Sequence, residues 1–178
     1  MKRNEAGNIL VPVHLRGHAA EYSVRVGSGL LTGAADFISE ALPTAKRILL
    51  VSNKRVFGLY GEAVRKAIKR AGISPEVHLI GDGERYKTLR TAEGVLAAAE
   101  AAGLTRTDAV VSLGGGVVGD IAGFAAAIYL RGIPHLLIPT TLVAMIDASV
   151  GGKTGVDTPA GKNLIGSFHQ PRKVIADT

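Results

Sequence analysis

The chain has 178 residues, of which 47 % are hydrophobic and 20 % are charged, and its formal net charge is +6. This length suits one domain, and the composition permits a buried core and excludes a disordered chain. The sequence contains no cysteine, which excludes a disulfide scaffold, a thiolate metal site and a cysteine nucleophile. Aromatic residues are few, at 4 %, and this argues against a stacking platform for single-stranded nucleic acid.

The positive charge is dispersed along the chain, with one local group at Arg65, Lys66, Lys69 and Arg70 on a predicted amphipathic helix. Such a group is typical of a solvated helix face, so we expect no nucleic-acid partner. Positive charge also attracts small phosphorylated substrates. No secretory signal is recognised, and no segment approaches the roughly 18 apolar residues of a membrane span. We expect a soluble cytoplasmic protein without a membrane partner.

Strand-like and helical patterns alternate along the chain. Strands are predicted at 8–15, 21–27, 47–51, 76–80, 108–113, 135–138 and 173–177, with a turn at 17–20. Helices are predicted at 30–42, 54–71, 88–102 and 117–130, followed by a short helix from Thr140. From Gly151 the chain is glycine-rich, and we expect it to be irregular and mobile until the last strand. The alternation predicts an α/β, Rossmann-like fold: a mainly parallel sheet with helices on both faces.

Four polar loops follow predicted strands, at 52–54, 81–87, 114–120 and 139–141. In open parallel sheets, ligands bind outside the carboxyl ends of the strands. The four loops are therefore expected to converge on one rim of the sheet.

Gly114, Gly115 and Gly116 lie between a buried strand and an apolar helix. A glycine turn at a helix N-terminus lets free N–H groups approach a phosphate. Gly114, Gly116 and Gly119 also fit G-x-G-x-x-G, but the next strand lacks the acidic residue of a Rossmann site. Two interpretations stay open: a dinucleotide site of another layout, or close packing of helix on strand.

The segment GGKT at 151–154 resembles the end of a P-loop, but that motif needs glycine at position 147, which is Asp. The P-loop interpretation therefore fails. The five histidines, at 14, 18, 78, 135 and 169, form no ligand spacing, so no metal site is predicted within this chain.

Asp120, in the first helical turn, either complements the helix dipole or binds donors such as a ribose or a carboxamide. Arg131, at the end of the same helix, is favoured there by the dipole. Lys153 and Lys162 are either solvent-exposed or part of a set that binds phosphate and hydroxyl groups. The neighbouring polar residues that favour the second interpretation are Asp147, Ser149, Asn163 and Ser167.

Four segments resemble the 3-dehydroquinate synthase family of the shikimate pathway of aromatic amino acid biosynthesis. They are GDGERYKT (81–88), SLGGGVVGDIAGFAAAIYLRG (112–132), PTTL (139–142) and IDASVGGKTGVDTPAGKNLIGSFHQP (146–171). The resemblance covers nearly the whole chain. It implies that residues 1–178 are the N-terminal domain that binds NAD and the substrate phosphate. The helical, metal-binding C-terminal domain of the family would then be absent.

The resemblance also implies roles for individual residues. NAD contacts are implied for Asn53, Asp82, Gly83, Glu84, Lys87, Gly115, Gly116, Val117, Val118, Gly119, Asp120, Thr140, Thr141 and Lys162. Catalytic contacts to the substrate are implied for Arg131, Asp147, Lys153 and Asn163. In the family, the counterpart of Arg131 reaches across the interface of a homodimer to the substrate phosphate.

The implied enzyme is a phosphorus-oxygen lyase that converts 3-deoxy-D-arabino-heptulosonate 7-phosphate, a seven-carbon sugar acid, into 3-dehydroquinate. NAD oxidises a substrate alcohol, phosphate is eliminated, the hydride returns, and ring opening precedes an aldol closure. The family's zinc or cobalt is held by the C-terminal domain, so we expect this chain alone to bind NAD weakly and to be inactive. Two alternatives are another sugar-phosphate cyclase and a non-catalytic dinucleotide-binding module.

Overall fold

The computed structural model describes residues 2–3, 9–14 and 21–178. The strands are β1 (Lys2–Arg3), β2 (Ile9–His14), β3 (Glu21–Gly27), β4 (Arg47–Asn53), β5 (Ser74–Ile80), β6 (Ala109–Gly114), β7 (His135–Pro139), β8 (Lys153–Thr158), β9 (Gly161–Phe168) and β10 (Lys173–Asp177). The helices are α1 (Ala34–Ala41), α2 (Lys54–Val56), α3 (Glu62–Arg70), α4 (Leu89–Ala101) and α5 (Gly116–Ile128). The predicted turn at 17–20 lies outside the described residues.

Eight strands form one sheet in the order β1-β2-β3-β10-β7-β6-β4-β5. The pairs β1/β2 and β2/β3 are antiparallel, and every other pair is parallel. In this register Asn53 is level with Ile80, and Gly114 is level with Pro139. The carboxyl ends of β4, β5, β6 and β7 therefore lie side by side, and the mainly parallel fold is confirmed.

The central strands are buried on both faces because their side chains alternate between two cores. In β4, Ile48 and Leu50 face the core that α1 and α3 cover, together with Ile68. Leu49 and Val51 face the opposite core, which α4 and α5 cover. The helices thus lie on both faces of the sheet, as the alternation predicted. None of the helices in the described ranges is long and apolar enough to cross a membrane.

Two predicted helices differ from the structure in detail. The helix predicted over 54–71 forms, but a π-helical segment at Phe57–Gly61 separates α2 from α3. The helix predicted over 117–130 ends at Ile128 and continues as a single 3-10 turn, in which Leu130 and Arg131 have positive φ.

The prediction of an irregular chain after Gly151 was wrong. Strands β8 and β9 form an antiparallel hairpin that packs along α5, and Val156 is fully buried there. The glycines that indicated irregularity allow close pairing: a Cβ on Gly155 would lie 2.6 Å from the carbonyl oxygen of Ile165. Glycine in a strand marks such close backbone approach.

Candidate functional site: a cleft at the carboxyl ends of four strands

An open cleft of about 490 Å³ lies where β4, β5, β6 and β7 end. It is lined by Asn53, Arg55, Val56, Leu59, Tyr60, Gly81, Asp82, Gly83, Gly115, Gly116, Val117, Val118, Thr140 and Thr141. These residues come from all four loops that were expected to converge, so that expectation is confirmed. Nine of the fourteen residues to which the resemblance assigned NAD contacts lie in this lining.

The glycine turn forms one wall of the cleft. Gly115 occupies the N-cap of α5 and has no side chain to cap the helix, so the N–H groups of the first turn keep their capacity to bind an anion. Gly114 serves packing instead, because a Cβ there would lie 2.6 Å from Val118 Cγ2. The packing interpretation therefore applies to Gly114, and the dinucleotide interpretation stays a prediction.

The loop after β7 adds two hydroxyl groups to the cleft. The N–H of Thr140 donates to the carbonyl oxygen of Gly114 at 2.9 Å, which joins the loops after β6 and β7. Thr140 Oγ1 is buried and has no hydrogen-bond partner among the described residues. Thr141 Oγ1 accepts from the N–H of Ala144 at 3.3 Å. The hydroxyl of Thr140 therefore has hydrogen-bonding capacity that none of the described residues uses.

Asn53 and Asp82 join the ends of β4 and β5. Asn53 Oδ1 accepts from the N–H of Val56 at 2.8 Å and so caps α2. Its Nδ2 donates to Asp82 Oδ1 at 3.1 Å. The next residue, Gly83, has φ +97°, a conformation that favours glycine. One oxygen of Asp82 is held in this way, and the carboxylate stays at the wall of the cleft.

Lys87 connects the cleft to the hairpin. Its side chain is 7 % exposed, and its Nζ forms an ion pair with Asp120 and donates to Asn163 Oδ1 at 2.5 Å. Burial raises the pKa of the Asp120 carboxyl, although the hydrogen bond and charge of Lys87 oppose the change. Three residues to which roles were assigned are thus in direct contact, although 76 positions separate Lys87 from Asn163.

Glu84 and Lys162 form a second, exposed link between the same loop and the hairpin. Lys162 Nζ lies 3.0 Å from Glu84 Oε1, and this hydrogen bond raises the pKa of the ammonium. Asn163 has φ +56°, and its N–H donates to Asp157 Oδ1 at 2.8 Å. Asp157 was not among the expected site residues, and nothing in its local sequence pattern marks it.

The four residues expected to bind the substrate are not all brought together. Lys153 shares a small cavity with Gly119 and Asp120, and Asn163 contacts Lys87. Asp147 is exposed on the π-helical turn at Ala144–Ala148, outside the lining of the cleft. Arg131 lies at the far end of α5, about 20 Å from the glycine turn at 1.5 Å per residue.

Sequence reasoning missed one side of the cleft, which is formed by Arg55, Val56, Leu59 and Tyr60. Leu59 and Tyr60 are 67 % and 43 % exposed, which is unusual for residues of their size. A signal was present, because the helix that starts at Lys54 directly follows a strand of the site. Its first turns must therefore border the cleft.

The donor set fits a dinucleotide such as NAD. A helix N-terminus without a side-chain cap suits a pyrophosphate, and the carboxylate of Asp82 suits ribose hydroxyls. The buried hydroxyl of Thr140, which has no hydrogen-bond partner in the described part of the chain, suits a polar ligand atom. The described residues do not fit a metal ion, because they contain no group of three or more His, Cys, Asp or Glu side chains suited to one.

Sequence comparisons connect the chain to one enzyme family. The family model described as 3-dehydroquinate synthase N-terminal matches residues 77–178. A 3-dehydroquinate synthase of Symbiobacterium thermophilum is 51 % identical over 156 residues, which cover 88 % of this chain and 44 % of that protein. One from Pelotomaculum thermopropionicum is 50 % identical over 88 % of this chain and 42 % of its own length. The chain therefore spans less than half the length of these relatives.

Solved structures agree on the fold. A 2-deoxy-scyllo-inosose synthase in complex with carbaglucose-6-phosphate, NAD+ and Co2+ matches with a TM-score of 0.86 and 27 % identity, over 95 % of this chain and 46 % of that one. A 2-epi-5-epi-valiolone synthase from Streptomyces hygroscopicus subsp. jinggangensis 5008, solved with NAD+ and Zn2+, matches with a TM-score of 0.80 and 35 % identity, over 93 % and 45 %. An iron-containing alcohol dehydrogenase, at 20 % identity and a TM-score of 0.71, shares the fold alone, over 88 % of this chain and 45 % of that one.

Proposed function

This chain belongs to the 3-dehydroquinate synthase family, and we propose that residues 1–178 form the domain of such an enzyme that binds NAD and the substrate phosphate. The proposed reaction converts 3-deoxy-D-arabino-heptulosonate 7-phosphate into 3-dehydroquinate and phosphate. The observation that carries the proposal is the cleft, which is lined by Thr140, by Asp82 and by a helix N-terminus without a side-chain cap.

In this proposal the cleft holds the cofactor. The first turn of α5 binds the pyrophosphate. The hydroxyl of Thr140, for which the described residues offer no hydrogen-bond partner, donates to the dinucleotide. Asp82 and Asn53 bind ribose hydroxyls at the ends of β5 and β4. NAD held there would supply reversible hydride transfer for a substrate alcohol. Asp120 and Lys87 hold the cofactor's other end, next to the hairpin.

The hairpin brings polar groups to the substrate. Lys153 supplies positive charge for the phosphate, Lys162 contacts the NAD, and Asn163 orients hydroxyl groups through its contact with Lys87. Asp147 contacts the substrate from the exposed turn before the hairpin. Because Arg131 lies at the far end of α5, it serves the site of a second subunit in a homodimer rather than the cleft of its own chain.

The whole enzyme needs a further, helical domain, in which we place the zinc or cobalt site. An exposed apolar surface beside the hairpin supports this part of the proposal. Leu142, Val143 and Ile146 are each at least 67 % exposed, and Phe168 is 77 % exposed. A patch of this kind marks a surface that another protein segment covers.

Cofactor binding is tested by calorimetric titration of this chain with NAD+. Asp120→Ala and Thr140→Val are each expected to weaken binding about five- to tenfold, because each removes one buried polar contact to the ligand. Arg70→Ala, at the exposed end of α3, is the control and should leave the affinity unchanged. Saturable binding that neither cleft variant alters would place the dinucleotide elsewhere and contradict the proposal.

Catalysis is tested by mixing this chain with the separately produced C-terminal half of the Symbiobacterium thermophilum relative. We expect no turnover by the chain alone and metal-dependent phosphate release in the mixture.

The two solved cyclases favour a second candidate, another sugar-phosphate cyclase, so a hexose phosphate is assayed beside the seven-carbon substrate. Turnover of the hexose phosphate alone would favour that candidate. NAD binding without any turnover in the mixture would favour a non-catalytic dinucleotide-binding module.

A further inference from the structure

His135 is a buried polar residue that the proposed function does not use. It begins β7, is 1 % exposed, and its Nε2 lies 3.1 Å from Ser112 Oγ. Its Nδ1 is buried and has no hydrogen-bond partner among the described residues. A ring nitrogen left without a partner inside a protein is unfavourable, so the native molecule needs a group that satisfies it.

A small cavity of about 10 Å³ adjoins His135. Asp120, Lys153 and Thr154 also line it. This volume is what one water molecule needs, and the lining is polar enough to hold one. Gly123 lets His135 and Thr154 pack closely against α5, because a Cβ there would lie 3.1 Å from His135 Nδ1 and 2.5 Å from Thr154 Cγ2.

A second cavity of about 10 Å³ lies beneath the glycine turn and is lined by Ser112, Gly115 and Gly116. Gly119 and Leu137 line both cavities, so the two spaces are neighbours. The hydrogen bond between Ser112 and His135 therefore runs from one cavity to the other.

The imidazole of His135 is neutral in the folded protein. Burial, together with the nearby charge of His169, lowers the pKa of His135 to about 3. The His169 ring is stacked on it at a centroid distance of 6.5 Å, and Asp120 and Lys153 face the same cavity. A neutral imidazole has one donor and one acceptor nitrogen, so it passes a hydrogen bond from one partner to another without carrying charge.

We propose that each cavity binds one water molecule and that Ser112 and His135 join the two waters into a buried hydrogen-bonded relay. The water on His135 Nδ1 forms hydrogen bonds with the polar groups around it. It thereby positions Asp120 and Lys153, which line the same cavity. His135 is thus a positioning residue. Its effect on cofactor binding rests on the proposed function, whereas the water site does not.

The water site is tested by NMR on the chain as it stands. We expect a nuclear Overhauser effect between a long-lived water and both His135 Hε1 and the ring protons of Pro171, which lines the cavity beside His135 but not the other one and carries no exchangeable group. The ¹⁵N shifts of His135 should report one neutral tautomer across the range in which an ordinary histidine titrates. A folded chain without this water signal would overturn the proposal.

Two matched variants separate positioning from simple filling of space. His135→Asn keeps a polar atom near the place of Nδ1, and His135→Gln keeps one near the place of Nε2. We expect His135→Asn to retain the water signal at Pro171 and the NAD affinity. His135→Gln should lose the signal and bind NAD about fivefold more weakly, as expected for one lost buried hydrogen bond. Equal behaviour of the two folded variants would overturn the positioning role. If the chain binds no NAD at all, the proposed function fails, whereas the water signal still shows whether the buried water site exists.

Discussion

Lys87 is the residue on which the site's geometry most depends. Its ammonium is buried between Asp120 and Asn163, and its carbonyl oxygen accepts from the N–H of Asp157 at 2.7 Å. One residue thus ties the loop after β5 to α5 and to the hairpin. A buried charge pair adds little net stability, but removal of one partner leaves the other charge uncompensated.

We therefore predict that Lys87→Met lowers the free energy of unfolding by about 3 kcal/mol, because Asp120 loses its counter-charge in a buried position. Urea denaturation measures the change. Lys162→Met is the matched control, since its pair with Glu84 is exposed and screened, and stability should change little. Adding Asp120→Asn to Lys87→Met should restore part of the loss. A Lys87→Met chain as stable as the original would show that the pair is not important for stability.

At the scale of elements, the hairpin depends on glycines that face the opposite backbone. A Cβ on Gly166 would lie 2.2 Å from the carbonyl oxygen of Thr154, and one on Gly155 would lie 2.6 Å from that of Ile165. Contacts this short with a backbone cannot relax without moving a strand. The hairpin carries Lys162 and Asn163, so its pairing determines whether these side chains reach the loop after β5.

We predict that Gly166→Ala weakens the pairing of β8 with β9 while the central sheet stays intact. Amide hydrogen exchange should become faster at Val156 and Ile165 but not at Val111, which lies in the sheet. Gly58→Ala is the control, because nothing lies within 4 Å of a Cβ there and alanine favours the helical conformation. Unchanged exchange in the hairpin would mean that its backbone tolerates a side chain at 166.

At the scale of the molecule, buried ionisable groups make stability depend on pH. Burial lowers the pKa of His135 to about 3, and burial also lowers the pKa of His169. Burial alone would raise the pKa of Asp108, but hydrogen bonds from Thr105, Arg47 and Lys46 outweigh it and lower that pKa. At pH values below its ordinary pKa, each of these groups is protonated more readily in the unfolded chain than in the folded one. Acid therefore favours unfolding through these three groups, whereas Asp120, whose pKa burial raises, has the opposite effect.

We predict that the free energy of unfolding falls as the pH drops below about 6.5, by up to about 1.4 kcal/mol per pH unit for each histidine that stays neutral. Asp108 adds to the loss only below about pH 4, where the unfolded carboxylate takes up its proton. Denaturation curves over this range measure the slope. His135→Phe should remove one histidine's share of the slope, and an unchanged slope would contradict the assignment.

The sequence by itself determined the sheet, the helices on both faces and the rim at which the polar loops meet. These depend on local patterns: short apolar strands, amphipathic helices, and glycines such as Gly72 and Gly103 after helix ends. In a parallel sheet, the carboxyl ends of neighbouring strands lie together whatever the loops contain. The glycine turn and its place at the start of α5 follow from the same patterns.

Only the tertiary structure decided which polar side chains meet. The contact of Lys87 with Asn163 and the separation of Arg131 from the cleft join or divide residues far apart in the chain. The packing around His135 likewise leaves its Nδ1 without a hydrogen-bond partner among the residues that the structure describes. The close pairing at Gly155 and Gly166 likewise depends on the register of two strands, so local composition suggested an irregular segment where a hairpin forms. Contacts between distant residues depend on packing and register, and these arise only when the whole sheet is assembled.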